Sequence, residues 1–126
     1  MFGESVMENI LLVDDDTNFR RSLAIGLEDL GYSTIEAKGG MEALTYLQND
    51  QKSKKKIEGV VVDARMPGLD GFWLTDQISA TYPSVQVVIL SAHAYPQKSD
   101  QYTVLTKPVK IPFLAKTLEQ KRNKLE

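Results

Sequence analysis

The sequence predicts an α/β domain in which a parallel sheet is wrapped by helices on both faces. Three observations carry this expectation. Short apolar runs recur without the in/out alternation of a half-exposed strand, which suits strands covered on both sides. Stretches with helical spacing of apolar residues separate those runs. The residues just after the runs, rather than the helical stretches, hold the acidic, hydroxyl and lysine groups, as in open sheets whose ligand crevice lies at the carboxyl ends of the strands.

The first strand is Ile10-Leu11-Leu12-Val13. A helix is expected over 17–30, where Phe19, Leu23, Ile25, Leu27 and Leu30 form its apolar stripe, Asp16 or Thr17 caps it and Gly31 stops it. Tyr32-Ser33-Thr34-Ile35-Glu36 is a more polar strand near a sheet edge, and Met41, Ala43, Leu44 and Leu47 mark a second helix. Ile57 and Val60-Val61-Val62 give the third strand, and Phe72, Trp73, Leu74 and Ile78 a third helix that ends near Tyr82-Pro83. Val85 with Val87-Val88-Ile89-Leu90 is the fourth strand, and the weaker Tyr102-Thr103-Val104-Leu105 the fifth. A last helix begins near Pro112, which suits a first helical turn, and sets Leu114, Leu118 and Leu125 on one side. Lys52 and Lys54-Lys55-Lys56 precede the third strand and are expected to form a solvated loop rather than a docking patch.

With 126 residues, 42% hydrophobic and 25% charged, the chain is expected to form a single domain, residues 1–126, with residues 1–7 as a flexible extension. The absence of cysteine excludes thiolate metal sites and cysteine nucleophiles, and His93 as sole histidine excludes sites built on paired imidazoles. A net charge of −2 argues against nucleic acid as a direct partner. No apolar stretch is long enough to cross a membrane, and residues 1–8 lack the charged and apolar regions of a signal peptide, so a cytoplasmic setting is expected.

The chemistry lies at the strand ends. The first strand runs into Asp14-Asp15-Asp16, the third into Asp63, the fourth into Ser91 and the fifth into Lys107-Pro108. Carboxylates from two strands in one pocket repel one another unless a cation joins them or one takes a proton. Oxygen donors without imidazole or thiolate suit a hard ion such as Mg²⁺. A carboxylate can itself accept a phosphoryl group, and that transfer needs a metal and a lysine against the phosphoryl oxygens with a hydroxyl nearby.

Five blocks, in this order, resemble the receiver domain of bacterial two-component response regulators, the CheY-like superfamily. They are Ile10-Leu11-Leu12-Val13-Asp14-Asp15-Asp16, Ala37-Lys38-Gly39-Gly40-Met41-Glu42-Ala43-Leu44, the run from Asp63-Ala64-Arg65-Met66-Pro67-Gly68 to Leu69-Asp70-Gly71, Ile89-Leu90-Ser91-Ala92, and Lys107-Pro108. The resemblance implies a flavodoxin-like, doubly wound sheet of five parallel strands in the order 2-1-3-4-5. It implies that Asp63 is the phosphoacceptor, that Asp14, Asp15, Asp63 and the backbone carbonyl of Arg65 hold Mg²⁺, and that Ser91 and Lys107 contact the phosphoryl group. Pro108 would follow a cis peptide bond. It further implies a histidine kinase or histidine phosphotransfer protein as donor, and an output domain or partner protein as recipient of the signal. His93 is expected on the rim of the site and not as a phosphate carrier.

Two features depart from that pattern. The segment 91–107 is several residues shorter than usual and contains Pro96, leaving a shortened or missing fourth helix. Val104 stands where an aromatic residue usually does, and Tyr102 is a poor substitute about 7 Å further along the strand. Signalling is therefore expected to run through residues 92–101. Two other functions fit the residues less well. A haloacid-dehalogenase-like phosphatase would need its nucleophile on the first strand and a larger insert. A receiver-like interaction module without phosphate chemistry is opposed by the intact acidic pair, acceptor and lysine.

Overall fold

The computed structural model describes residues 9–50, 56–98 and 100–124. Five strands form one parallel sheet: β1 (Asn9–Val13), β2 (Ser33–Ala37), β3 (Ile57–Asp63), β6 (Gln86–Ser91) and β7 (Val104–Thr106). Their order across the sheet is β2-β1-β3-β6-β7, the doubly wound arrangement expected. A small antiparallel hairpin of β4 (Arg65–Met66) and β5 (Leu69–Asp70) interrupts the chain after β3. Pro67 and Gly68 turn it, with Gly68 at φ 73°, a conformation in which a side chain would be strained.

The apolar strand runs follow from burial on both faces. Ile10 and Leu12 of β1, Val61 of β3 and Val88 and Leu90 of β6 pack against α1 (Thr17–Asp29) and α4 (Ile111–Lys124). Leu11, Val13, Val60, Val62 and Val87 pack against α2 (Gly40–Asp50) and α3 (Gly71–Thr81) on the other side. Removing any of these buried Leu side chains is expected to cost about 2–5 kcal/mol. β2, with only Ala37 buried, is an edge strand as its polarity predicts.

Three expectations are corrected. The buried face of α1 is Arg20, Leu23, Ala24 and Leu27, while Ile25 and Leu30 are half-exposed, because spacing of three and four from Leu27 and Leu23 leads back to Arg20. Met41 and Trp73 are likewise exposed on their helices. The last strand is shorter and begins two residues later than expected, leaving Tyr102 ahead of it. Between β6 and β7 the expected shortening is seen: among the described residues the helical content is a single 3₁₀ turn, Pro96–Lys98. Residues 1–8, the lysines at 52, 54 and 55, and Leu125 lie outside the described residues. Lys56 is exposed just before β3. Among the described residues no helix is long and apolar enough to cross a membrane.

Candidate functional site

The strand ends bring four of the predicted residues together. Asp14 and Asp15 leave the sheet directly after β1, Asp63 is the last residue of β3, and Lys107 follows β7 at a cis Lys107–Pro108 bond. One carboxylate oxygen from each of Asp14, Asp15 and Asp63 lies within 4.8 Å of the other two. The Lys107 ammonium stands 3.3 Å from Asp63 Oδ1 and 3.5 Å from Asp14 Oδ2, and 4.3 Å above the centroid of the Phe19 ring. Asp14 is buried, Asp63 half-buried and Asp15 exposed, so the cluster opens to solvent on the Asp15 side.

One ammonium against three carboxylates leaves the cluster short of positive charge. Burial pushes the Asp14 carboxyl up from its ordinary range, and the neighbouring Asp63 carboxylate adds to this; the Asp16 amide and Lys107 offset it only in part. The donors are all oxygen and one side is open to water. These are the conditions that suit a hard divalent cation such as Mg²⁺, which keeps several of its waters.

The segment after β3 is held against Asp63. The Gly71 amide donates to the Ala64 carbonyl at 2.9 Å, closing the hairpin, and the Asp70 carboxylate caps α3 by accepting from the Phe72 amide at 2.8 Å. A Cβ on Gly71 would lie 2.2 Å from the Asp63 carbonyl oxygen, so any larger residue would displace the backbone that presents Asp63. Arg65 begins β4 with its side chain exposed.

Ser91 ends β6, one residue beyond the partner of Asp63 on the neighbouring strand, and is 2% exposed. Its hydroxyl oxygen accepts from the His93 amide at 3.0 Å, and its carbonyl accepts from the Lys107 amide at 2.7 Å, which sets Lys107 beside it. His93 itself is exposed, at the rim. Asp16 caps α1, accepting from the Phe19 amide at 3.1 Å.

Sequence reasoning missed three residues that shape the site. Phe19, read only as part of a helical stripe, lies under Lys107. Arg20 is 5% exposed and reaches back to the Asp14 carbonyl, and Glu36 on β2 accepts from the same guanidinium. The signal for Arg20 was present: a cation at the position where the spacing of Leu23, Ala24 and Leu27 calls for an apolar residue.

Comparison with known proteins agrees with this geometry. The family model described as response regulator receiver domain matches residues 10–120. The chain is 35% identical over 107 residues to the transcriptional regulatory protein GlrR of Escherichia coli K12, covering 80% of this chain and 23% of that protein. It is 36% identical over 115 residues to the sensor histidine kinase RcsC of Salmonella typhimurium, covering 86% of this chain and 12% of that protein. The chain thus spans less than a quarter of the length of either relative. Among solved structures, a response regulator receiver domain protein from Clostridium thermocellum superposes with a TM-score of 0.80 at 25% identity, over 93% of this chain and 95% of that one. The response regulator TrrA from Thermotoga maritima, in complex with Mg²⁺–BeF, superposes with a TM-score of 0.76 at 25% identity, over 90% and 98%. From its strand-end carboxylates to its sheet order, the chain belongs to the response regulator receiver domain family.

Proposed function

We propose that the chain is a single phosphoryl-accepting receiver domain that takes a phosphoryl group onto Asp63 from a histidine kinase or a histidine phosphotransfer protein and changes conformation to signal. The observation that carries this reading is the meeting of Asp14, Asp15 and Asp63 with the Lys107 ammonium at the carboxyl ends of three strands. Asp14, Asp15, Asp63 and the Arg65 carbonyl would hold Mg²⁺, which when bound supplies positive charge to the phosphoryl oxygens.

The chain's own residues do the rest. An Asp63 carboxylate oxygen attacks phosphorus in line with the donor's imidazole nitrogen. The O–P bond forms as the P–N bond breaks, and the electron pair of that bond returns to the imidazole. Lys107, already beside Asp63, neutralises charge on the transferred group. The Ser91 hydroxyl, whose oxygen accepts from the His93 amide before transfer, gains in a phosphoryl oxygen an acceptor for its proton. Hydrolysis reverses the state when water attacks phosphorus and Asp63 leaves as a carboxylate. The domain thereby catalyses its own phosphorylation and dephosphorylation rather than turning over a separate substrate. The similarity to GlrR and to RcsC supports an output domain or partner protein beyond this domain, and the oxygen-only, metal-assisted chemistry is compatible with a cytoplasmic location.

Mass spectrometry after incubation with acetyl phosphate and Mg²⁺ tests the reading. One labile phosphoryl adduct is expected on the wild-type chain and none on Asp63→Asn. The same adduct on the mutant would overturn the assignment.

A further inference from the structure

Arg20 is an unusual residue for the inner face of a helix. At 5% exposure it sits where its neighbours on that face are Leu23, Ala24 and Leu27, and a buried guanidinium is costly unless each of its donors is used. Here its donors link three elements. Nη1 donates to the Asp14 carbonyl at 2.7 Å, in a buried bond, and Nε donates to Glu36 Oε1 at 2.8 Å. The second oxygen of Glu36 accepts from Arg21 Nη1, so the carboxylate is fixed from both sides. Glu36 belongs to β2, whose register places it beside Leu12 and Ala37 beside Val13. The Ala37 carbonyl then accepts from the Asp14 amide at 3.2 Å.

The carbonyl that Arg20 holds belongs to the peptide between Asp14 and Asp15. Fixing that peptide plane fixes the directions in which the two carboxylates leave the backbone. Asp14 is gripped on its amide by Ala37, on its carbonyl by Arg20 and on its side chain by the Asp16 amide at 2.9 Å. Asp15, exposed and carrying none of these contacts on its own side chain, inherits its orientation from the peptide plane. We propose that Arg20, held by Glu36, is a positioning residue for the acidic pair, and that it sets the affinity of the site for a divalent cation without touching the ion. The inference rests on the reading of Asp14, Asp15 and Asp63 as the metal-binding set.

Outer contacts that orient metal ligands typically change affinity by 10–100-fold when removed. Arg20→Gln is expected to weaken Mg²⁺ binding by about tenfold, measured by calorimetry on the folded chain with Mg²⁺ alone. Arg20→Lys keeps the charge but has one ammonium in place of a fork with two separately aimed donors, so it should not restore wild-type affinity. Glu36→Gln leaves the guanidinium in place with a weaker orienting partner and is expected to cost a few-fold. Leu118→Ala, a core substitution on α4 that removes none of the hydrogen bonds of Arg20, Glu36 or Asp14, serves as a control for stability loss and should leave affinity unchanged in the folded protein.

Full rescue by Arg20→Lys would show that charge alone is at work and would overturn the positioning role. Wild-type affinity in both Arg20→Gln and Glu36→Gln would overturn it as well. If Arg20→Gln does not fold, Glu36→Gln alone decides, a few-fold loss supporting the proposal and unchanged affinity rejecting it. A wild-type chain that binds no Mg²⁺ would instead remove the underlying assignment of the acidic set, a failure that the mutants cannot mimic.

Discussion

The two flanks of the acidic crevice are built from different materials. On the Asp14 flank, β1, α1 and β2 are tied by a buried guanidinium, a carboxylate held from both sides and a hydrogen bond from the Asp14 amide to Ala37. On the Ser91 flank, the described residues between β6 and β7 contain one 3₁₀ turn, and rings take the place of a longer helix. Phe72 of α3 is met edge-on by Tyr95 and by Tyr102, each with ring centroids 5.0 Å away, and the Lys98 ammonium sits 4.6 Å above its face. Beside them a groove of about 430 Å³ is lined by residues including Arg65, Phe72, Tyr95 and Lys98, so the cover over this part of the sheet is incomplete. The comparison assigns the two flanks different tasks. Directional, charge-assisted bonds hold Asp14 and the peptide that follows it, while a few ring contacts over a short segment allow rearrangement at a smaller cost.

The ring cluster is the more fragile, and its centre is Phe72. Phe72→Ala is expected to destabilise the domain by about 3 kcal/mol in chemical denaturation, because it empties the core under Tyr95 and Tyr102 together. A loss below about 1 kcal/mol would mean that the rings do not stand in for the missing helix. A second substitution acts on the loop after Asp63, between the flanks. Gly71→Ala would press on the Asp63 carbonyl and is expected to cost about 2 kcal/mol or more, with slower adduct formation in the folded fraction. Wild-type stability and phosphorylation in Gly71→Ala would show that the loop is more yielding than its packing suggests.

The Asp14 flank should respond to acid. Burial pushes the Glu36 carboxyl up, but its hydrogen bonds from Arg20 and Arg21, with their charges, outweigh this and hold it below the ordinary carboxylate range near 4.5. A folded-state pKa below the unfolded one means that the ion pairs stabilise the fold above about pH 4.5 and that this contribution is lost as pH falls through the folded value. The difference in unfolding free energy between wild type and Glu36→Gln is expected to shrink by about 1 kcal/mol from pH 7 to pH 3. A constant difference would show that the brace is not ionic. The smallest effect belongs to Tyr102, whose hydroxyl donates to Asp76 Oδ1 at 2.8 Å on the exposed side of the cluster. Tyr102→Phe should cost about 0.5 kcal/mol, since the ring contact with Phe72 survives. A loss of several kcal/mol would place the hydroxyl, not the rings, at the centre of that flank.

The contrast also explains what could be read from the sequence. Strands buried on both faces leave unbroken apolar runs, and the residues that follow them point to a crevice whatever the side chains do, so Asp14, Asp15, Asp63, Ser91 and Lys107 were legible from position alone. Arg20 was not. Helical periodicity assigns a cation to the solvent side, and only the three-dimensional placement of Glu36 and the Asp14 carbonyl makes its burial tolerable. The stripe through Ile25 and Leu30 was misjudged for the same reason, since Arg20 took the place on the inner face that was assigned to them. On the other flank, shortness and Pro96 correctly indicated a shortened or missing helix, yet nothing local in residues 92–103 shows that Tyr95 and Tyr102 converge on Phe72. That convergence depends on the path of the chain rather than on any period within it.

The claim that one flank is fixed and the other moves is tested most directly by hydrogen exchange with and without beryllofluoride and Mg²⁺. Slower exchange is predicted chiefly in residues 92–101, which should become ordered around the occupied site, with amides of α1 and β2 little changed because their bonds are already made. A response concentrated in α1 and β2, or none in residues 92–101, would contradict the account.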